Sequence, residues 1–265
     1  MPLYTGYVGL DFRITLKLLF FILGFTLIFF AVHFYNLLPD YTLTENLASI
    51  PWLFSAISVI FSIISGFVIQ TKWQMWDRLI EASQKELNTL KHLFRMSDHF
   101  SEEVSRKLKK NIHDYITVIL KESNTLDQKG QTVQKEFEDA VYLLEETLID
   151  ASKKFPESGV LSTTLREAVE NQEYIIQNTN HRLPFVLRVL ITFSTFSIIV
   201  ASLFIGVSNV LYDYLFTLVI ALLAYGIYLI IDDLDHPYRP GNWHLSMDPY
   251  REFLAEIKKK LPKES

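Results

Sequence analysis

Long uncharged apolar runs alternate along this chain with polar stretches whose apolar residues recur at helical spacing. The most informative run is Ile50 to Trp76, IPWLFSAISVIFSIISGFVIQTKWQMW. From Pro51 to Thr71 it carries no formal charge, and at about 1.5 Å per residue it crosses a hydrocarbon core of about 30 Å. Ser55, Ser58, Ser62 and Ser65 step by 3, 4 and 3, placing four hydroxyls on one helix face. Phe54, Ile57, Phe61, Ile64 and Val68 follow the adjoining face. Small hydroxyl residues at this spacing let membrane helices pack closely. The same seam can line a hydrated path, with Phe54, Ile57 and Phe61 as an apolar constriction. Periodicity leaves both uses open.

Three further runs have spanning character: Leu18 to Leu38, Val189 to Val207 and Leu215 to Ile231. The first exceeds the usual apolar region of a cleavable signal and ends in Asn36-Leu37-Leu38-Pro39 instead of small residues, so it reads as a retained span. His33, near its outer end, is an interfacial or helix-bonding histidine before it is a gate. Between the second and third spans the apolar positions fall into helical stripes, with Trp76, Leu79, Leu87, Leu90 and Phe94 continuing the second span as a stalk. Ser101 before Glu102 and Glu103 predicts a helix start, and Leu108, Ile112, Tyr115 and Ile119 mark that helix's inner face. Gly130 ends it, a third helix carries Phe137, Val141, Leu144 and Leu148, and Pro156 to Gly159 ends that one. No strand-like alternation competes. The predicted fold is an all-α membrane protein: four transmembrane helices with a cytoplasmic helical bundle inserted between the second and third.

Composition agrees with this division. Of 265 residues 49% are hydrophobic, yet 21% are charged, so the charges must lie outside the spans. All 25 lysines and arginines fall before the first span, between residues 72 and 188, or after Ile231, and none lies in the loops joining paired spans. The positive-inside rule then places both termini and the bundle in the cytoplasm of a multi-pass protein of the plasma (inner) membrane. Trp52, Tyr41, Tyr212 and Tyr214 would form the outer aromatic belt, and Trp73 and Trp76 the inner one. The expected organisation is a lead at 1–17, the first two spans within 18–71, the bundle at 72–183, the last two spans within 184–231 and a tail at 232–265. A net charge of −5 argues against nucleic-acid binding.

No catalytic constellation is present. The chain lacks cysteine, phosphate-binding loops and nucleophile or zinc-protease motifs, so neither an enzymatic role nor a cofactor is expected. Asp232, Asp233 and Asp235 could hold a hard cation by oxygen ligands. The simpler role for Asp235 is to cap the turn made by Pro237, Pro240 and Gly241, and no metal is assigned.

Two segments carry a resemblance. WDRLIEASQKELNTLKHLFRMSDHFSEEVSRKLKKNIHDYI, with Arg78, Glu81-Ala82, Leu87 to Leu93 and Tyr115, resembles the stretch after the second span in the bestrophin-like family of unknown function. LDHPYRPGNWHLSMDPY is similar to that family's closing turn motif, here Leu234, Asp235, Pro237, Tyr238 and Gly241, with Pro249 later. Ser83 departs from the asparagine of many members, and Pro240 is inserted before the glycine. The resemblance implies the architecture of bestrophins: pentameric anion channels with four spans per subunit and a pore lined by the second. The expected protein is therefore a homopentamer in the lipid bilayer conducting chloride or other small inorganic anions. Its implied pore-lining set is Phe54, Ser55, Ile57, Ser58, Phe61, Ser62 and Ser65. The acidic run is too sparse for a bestrophin calcium clasp. The alternative is a non-conducting scaffold or signalling protein whose bundle binds a protein partner.

Overall fold

The computed structural model describes residues 12–35, 49–125, 139–147, 149, 158–180, 182–204, 209–237, 239 and 241–260. It is helical throughout, in the order α1 (Phe12–Phe34), α2 (Ser49–Met96), a 3-10 turn (Ser97–His99), α3 (Glu102–Thr125), a helical stretch α4 (139–147), α5 (Ser158–Asn180), α6 (Phe185–Ser202), α7 (Val210–Leu234) and α8 (Asp248–Lys260). Four of these, α1, α2, α6 and α7, are long and apolar enough to cross a membrane. The described residues form two compact units. One holds α1, α2 up to Trp76, and Arg182 to His244 with α6 and α7. The other holds α2 from Asp77, α3 to α5, and α8.

The spans start and stop where backbone chemistry dictates, several residues from the hydropathy boundaries. Helix α1 is already helical at Phe12, the first described residue, and so takes in Arg13 and Lys17 of the expected lead. Helix α6 begins at Phe185 because Pro184, at φ −50° and ψ 138°, holds the extended conformation of an N-cap while its carbonyl accepts from Arg188 N at 3.1 Å. The helix tolerates Arg188 because that charge is paired, as shown below. Helix α7 begins at Val210, where Asn209 Oδ1 accepts from Leu211 N at 3.0 Å and Tyr212 N at 3.4 Å. It continues through Asp232 and Asp233 to Leu234.

In the membrane unit α7 packs on both α1 and α6. Phe25 and Phe29 of α1 meet Ala221 of α7, while Phe61 and Val68 of α2 are buried against Ile198 and Ala224, and against Ile191 and Ile231, respectively. Small residues on α7 let the neighbouring helices approach closely. Tyr214, expected in the outer belt, instead shares a hydrogen bond with Thr26 of α1 at 2.8 Å. Its hydroxyl finds a partner inside the helix bundle, the less costly arrangement for a polar group at membrane depth. Trp76 is likewise buried, whereas Trp52 and Tyr212 are exposed as expected. Tyr41 lies outside the described residues.

The second unit has one core. Leu90, Leu93 and Phe94 of α2 pack with Leu108, Ile112, Tyr115 and Ile116 of α3, Leu144 of α4, Leu165 of α5, and Tyr250, Phe253 and Ile257 of α8. Inside it Glu86 is fully buried. Its Oε1 accepts from Tyr115 OH at 2.8 Å and its Oε2 from Tyr250 OH at 2.6 Å. The Gln172 amide, turned so that its nitrogen faces the carboxylate, donates at 2.9 and 3.2 Å. One carboxylate thus ties four helices together.

Candidate functional site

The structure divides both seams of the second span. The face of α2 turned into its own unit runs through Phe54, Ser58, Phe61, Ser65, Val68, Lys72 and Trp76. Phe61 and Ser65 are buried, and Phe54 and Ser58 half-buried. The outward face carries Ser55, Val59, Ser62, Gly66 and Gln70 along one side, with Ile60, Ile63 and Phe67 beside them and Ile57 at the far edge. Of the seven expected pore-lining residues, Ser55, Ile57 and Ser62 are exposed, and the other four contribute to packing inside the subunit. The two steps of 3 and 4 that define each seam wrap slowly around a helix of 3.6 residues per turn, so neither seam coincides with one environment.

The outward faces of the other spans differ in kind. Helix α1 presents Leu23, Leu27 and Phe30 in mid-span, and α7 presents Leu215, Phe216, Val219 and Leu223. Helix α6 presents Val189, Phe193 and Phe196 beside Thr192, whose hydroxyl donates back to Arg188 O at 2.8 Å. These are faces suited to lipid. Among the described residues, only α2 turns two serines, a glycine and a glutamine outward across its spanning segment.

At the end of the spans that bears the closing turn motif, Asp235 is the organising group. Its side chain is 2% exposed, and Lys72 Nζ reaches Oδ1 at 2.6 Å from the end of the spanning part of α2. Leu183 N donates to the same oxygen at 2.8 Å, and Arg188 Nη2 reaches Oδ2 at 2.5 Å. Burial pushes the Asp235 carboxyl toward higher pKa, but the Lys72 hydrogen bond, with help from Leu183 and Arg188, more than reverses this and holds it below the ordinary aspartate value. Asp235 therefore ties the end of α7 to α2 and to the entry of α6. Lys72 has its charge committed to this pair.

The neighbouring carboxylates have separate tasks. Asp233 Oδ2 accepts from Asn242 N at 2.9 Å and Trp243 N at 3.1 Å, closing the turn. A Cβ at Gly241 would fall inside the Asp233 carboxylate, so only glycine fits there. Trp243 then stands edge-on to Trp73, with ring centroids 5.9 Å apart. Asp232 lies 3.8 Å from Lys17 and 3.7 Å from Arg239. The three aspartates act as a junction, not a cation cluster, and no metal-holding group of three acidic or histidine side chains occurs among the described residues. Leu234 and Pro237 of the motif are buried; Tyr238 lies outside the described residues.

Sequence reasoning missed Lys72, Arg188 and Leu183 as partners of Asp235, and Glu86 altogether. A usable signal existed for the first two. A charge abutting a span must be neutralised, and Lys72, Arg188 and Asp235 all abut the same end.

A model of the Bestrophin-like domain matches residues 20–243. No curated protein matches significantly. Among solved structures, a bacterial bestrophin homologue from Klebsiella pneumoniae superposes with a TM-score of 0.70 at 13% identity, covering 94% of this chain and 97% of that one. A single-residue variant of that homologue gives 0.70 at 12% identity, over 96% and 97%. A variant described only as a membrane protein gives 0.69 at 14%, over 94% and 97%. At these identities the likeness concerns the fold.

Proposed function

This chain belongs to the bestrophin-like family, and from that premise we propose that it forms an oligomeric membrane channel for small anions, lined by α2. The observation that carries the proposal is the mixed outward face of α2. Serine hydroxyls at 55 and 62, Gly66 and Gln70 gain little from lipid, but suit a neighbouring subunit or a hydrated axis. The apolar members Val59, Ile63 and Phe67 of the same face supply a constriction of the dewetting type. The spanning segment of α2 bears no exposed carboxylate, and its exposed serine hydroxyls can donate to an anion. Phe54, Ser58, Phe61 and Ser65 hold this helix in place from behind. A closed ring of subunits is required, since one subunit's spans pack on each other instead of enclosing a path. The resemblance to bestrophins, which are pentameric, supports five subunits for that ring. From the distribution of lysine and arginine we place both termini and the helical unit on the cytoplasmic side of the plasma (inner) membrane.

Purified protein in planar bilayers should give an anion-selective reversal potential, with Ser62→Leu reducing conductance and Phe67→Ala raising it. Subunit counting by mass should give a closed ring. A monomer or dimer that passes no current, and that recovers a stoichiometric cytoplasmic partner, would replace the channel with the scaffold reading.

A further inference from the structure

A small open cleft lies where α6 begins and α7 ends. Its wall is apolar, from Ile191, Tyr228 and Ile231, and its rim is polar, from Arg188, Thr192 and the two carboxylates Asp232 and Asp235. Beside this cleft two cations share one carboxylate twice over, and of the four, Arg188 is the one that lines it. Lys72 and Arg188 share Asp235, leaving the Arg188 side chain 44% exposed, and Lys17 and Arg239 share Asp232. The latter two stand 3.8 and 3.7 Å from it, too far for hydrogen bonds, with side chains close to half exposed. Among the described residues that form these pairs, four cations face three carboxylates even when Asp233 is counted. Directly beside Arg188 and Thr192, α6 exposes Phe185, Val186, Val189 and Phe193.

We propose that the surface over this cleft binds the phosphate headgroup of an anionic phospholipid, held by Arg188 on the rim and by Lys17 and Arg239 beside it, with its acyl chains along the exposed face of α6. The charge excess selects an anion, and a planar guanidinium with free edges matches phosphate oxygens. The apolar strip immediately alongside selects a lipid over a soluble phosphate. Asp232 acts as a counterweight: it occupies Lys17 and Arg239 when no headgroup is present, and sets a limit on affinity. The inference rests on the spans crossing a bilayer and not on conduction, so a silent channel leaves it intact.

The test is selectivity of reconstituted full-length protein for spin-labelled phosphatidylglycerol over spin-labelled phosphatidylcholine, read by electron paramagnetic resonance. Wild type should prefer phosphatidylglycerol. Lys17→Gln and Arg239→Gln, at exposed groups, should each lower the preference about fivefold, the worth of one cation near a membrane surface. Asp232→Asn should raise it, an effect opposite to that of simple misfolding. Equal association of the two lipids with wild type, or preference unchanged in the Lys17→Gln/Arg239→Gln double variant, overturns the site. Displacement of the phosphatidylglycerol preference by millimolar inorganic phosphate overturns the lipid as its occupant.

Discussion

Replacing Lys72 by methionine tests the junction most directly, because methionine keeps the length of the side chain and removes only the ammonium. In the native protein Asp235 accepts from Lys72 at 2.6 Å, Leu183 N at 2.8 Å and Arg188 at 2.5 Å. Lys72 is nearly as buried as its partner, at 8% side-chain exposure, whereas Arg188 is half in solvent. Breaking a buried pair by removing one member costs about 3–5 kcal/mol, and the retained Arg188 places Lys72→Met toward the lower end. Arg188→Gln, with solvent already screening the guanidinium, should cost only about 1 kcal/mol. Asp235→Asn keeps a neutral oxygen for Leu183 N and Lys72 but turns its amide nitrogen toward the Arg188 guanidinium. The double variant Lys72→Met/Asp235→Asn should therefore cost less than the sum of the singles. The pH dependence follows from the depressed carboxyl. A group whose folded pKa lies below its unfolded value stabilises above the unfolded value of about 3.9, and that contribution disappears as pH falls through the folded pKa. Wild type should thus lose stability on acidification below about pH 4, a loss that Asp235→Asn reduces. Equilibrium unfolding in detergent, followed by circular dichroism, measures all of this. Lys72→Met unfolding with wild type, or single costs that add fully in the double variant, would refute the assignment of Asp235 as a buried ionic clamp.

Other substitutions probe the rest of the molecule. Gly241→Ala drives a methyl into the Asp233 carboxylate and should destabilise the protein by about 1–3 kcal/mol in thermal melts, with Asp233→Ala relieving part of that cost in the double variant. The Ser65 and Thr195 hydroxyls are buried without hydrogen-bond partners, so Ser65→Ala and Thr195→Val should leave the melting temperature unchanged or raise it. Glu86→Ala removes the acceptor of two tyrosine hydroxyls and should cost about 2–4 kcal/mol. Glu86→Gln should cost about 1 kcal/mol, because the Gln172 amide can turn over to face the new donor; equal losses for the two variants would argue against a hydrogen-bonded hub.

The four spans were legible because length and apolarity are demanded residue by residue by a hydrocarbon slab. Their ends were less so. Hydropathy began the third span at Val189, since Arg188 counts as a break, but a paired arginine is no break at all. It began the fourth at Leu215, where Asn209 caps the helix and Asp213 in the first turn is favoured by the helix dipole. In both cases one local backbone signal, Pro184 or Asn209, marked the boundary better than the average over a window. The core of the second unit was equally legible: Leu90, Phe94, Leu108, Ile112, Tyr115 and Leu144 all recur at helical spacing and are all buried.

The seams of α2 show where periodicity runs out. Four serines one turn apart look like a single functional line, but one turn is 3.6 residues, and what decides burial is the neighbour on each side. Phe61 and Val68 are large and meet Ile198, Ala224, Ile191 and Ile231, so they fix the inward direction, and the serines fall to either flank: Ser58 and Ser65 behind, Ser55 and Ser62 in front. The polar partners of Asp235 were hidden for a related reason. They are separated from it by 163 residues in one case and 47 in another, and only the return of the chain to one end of the spans brings them together. Charges flanking spans are therefore best read as sets belonging to one membrane face, to be matched against each other before any is assigned to a permeating ion. Matching leaves Lys17, Arg188 and Arg239 as the half-exposed cations of the described pairs in this set, grouped at and beside the cleft where α6 begins and α7 ends, whereas Lys72 is buried against Asp235.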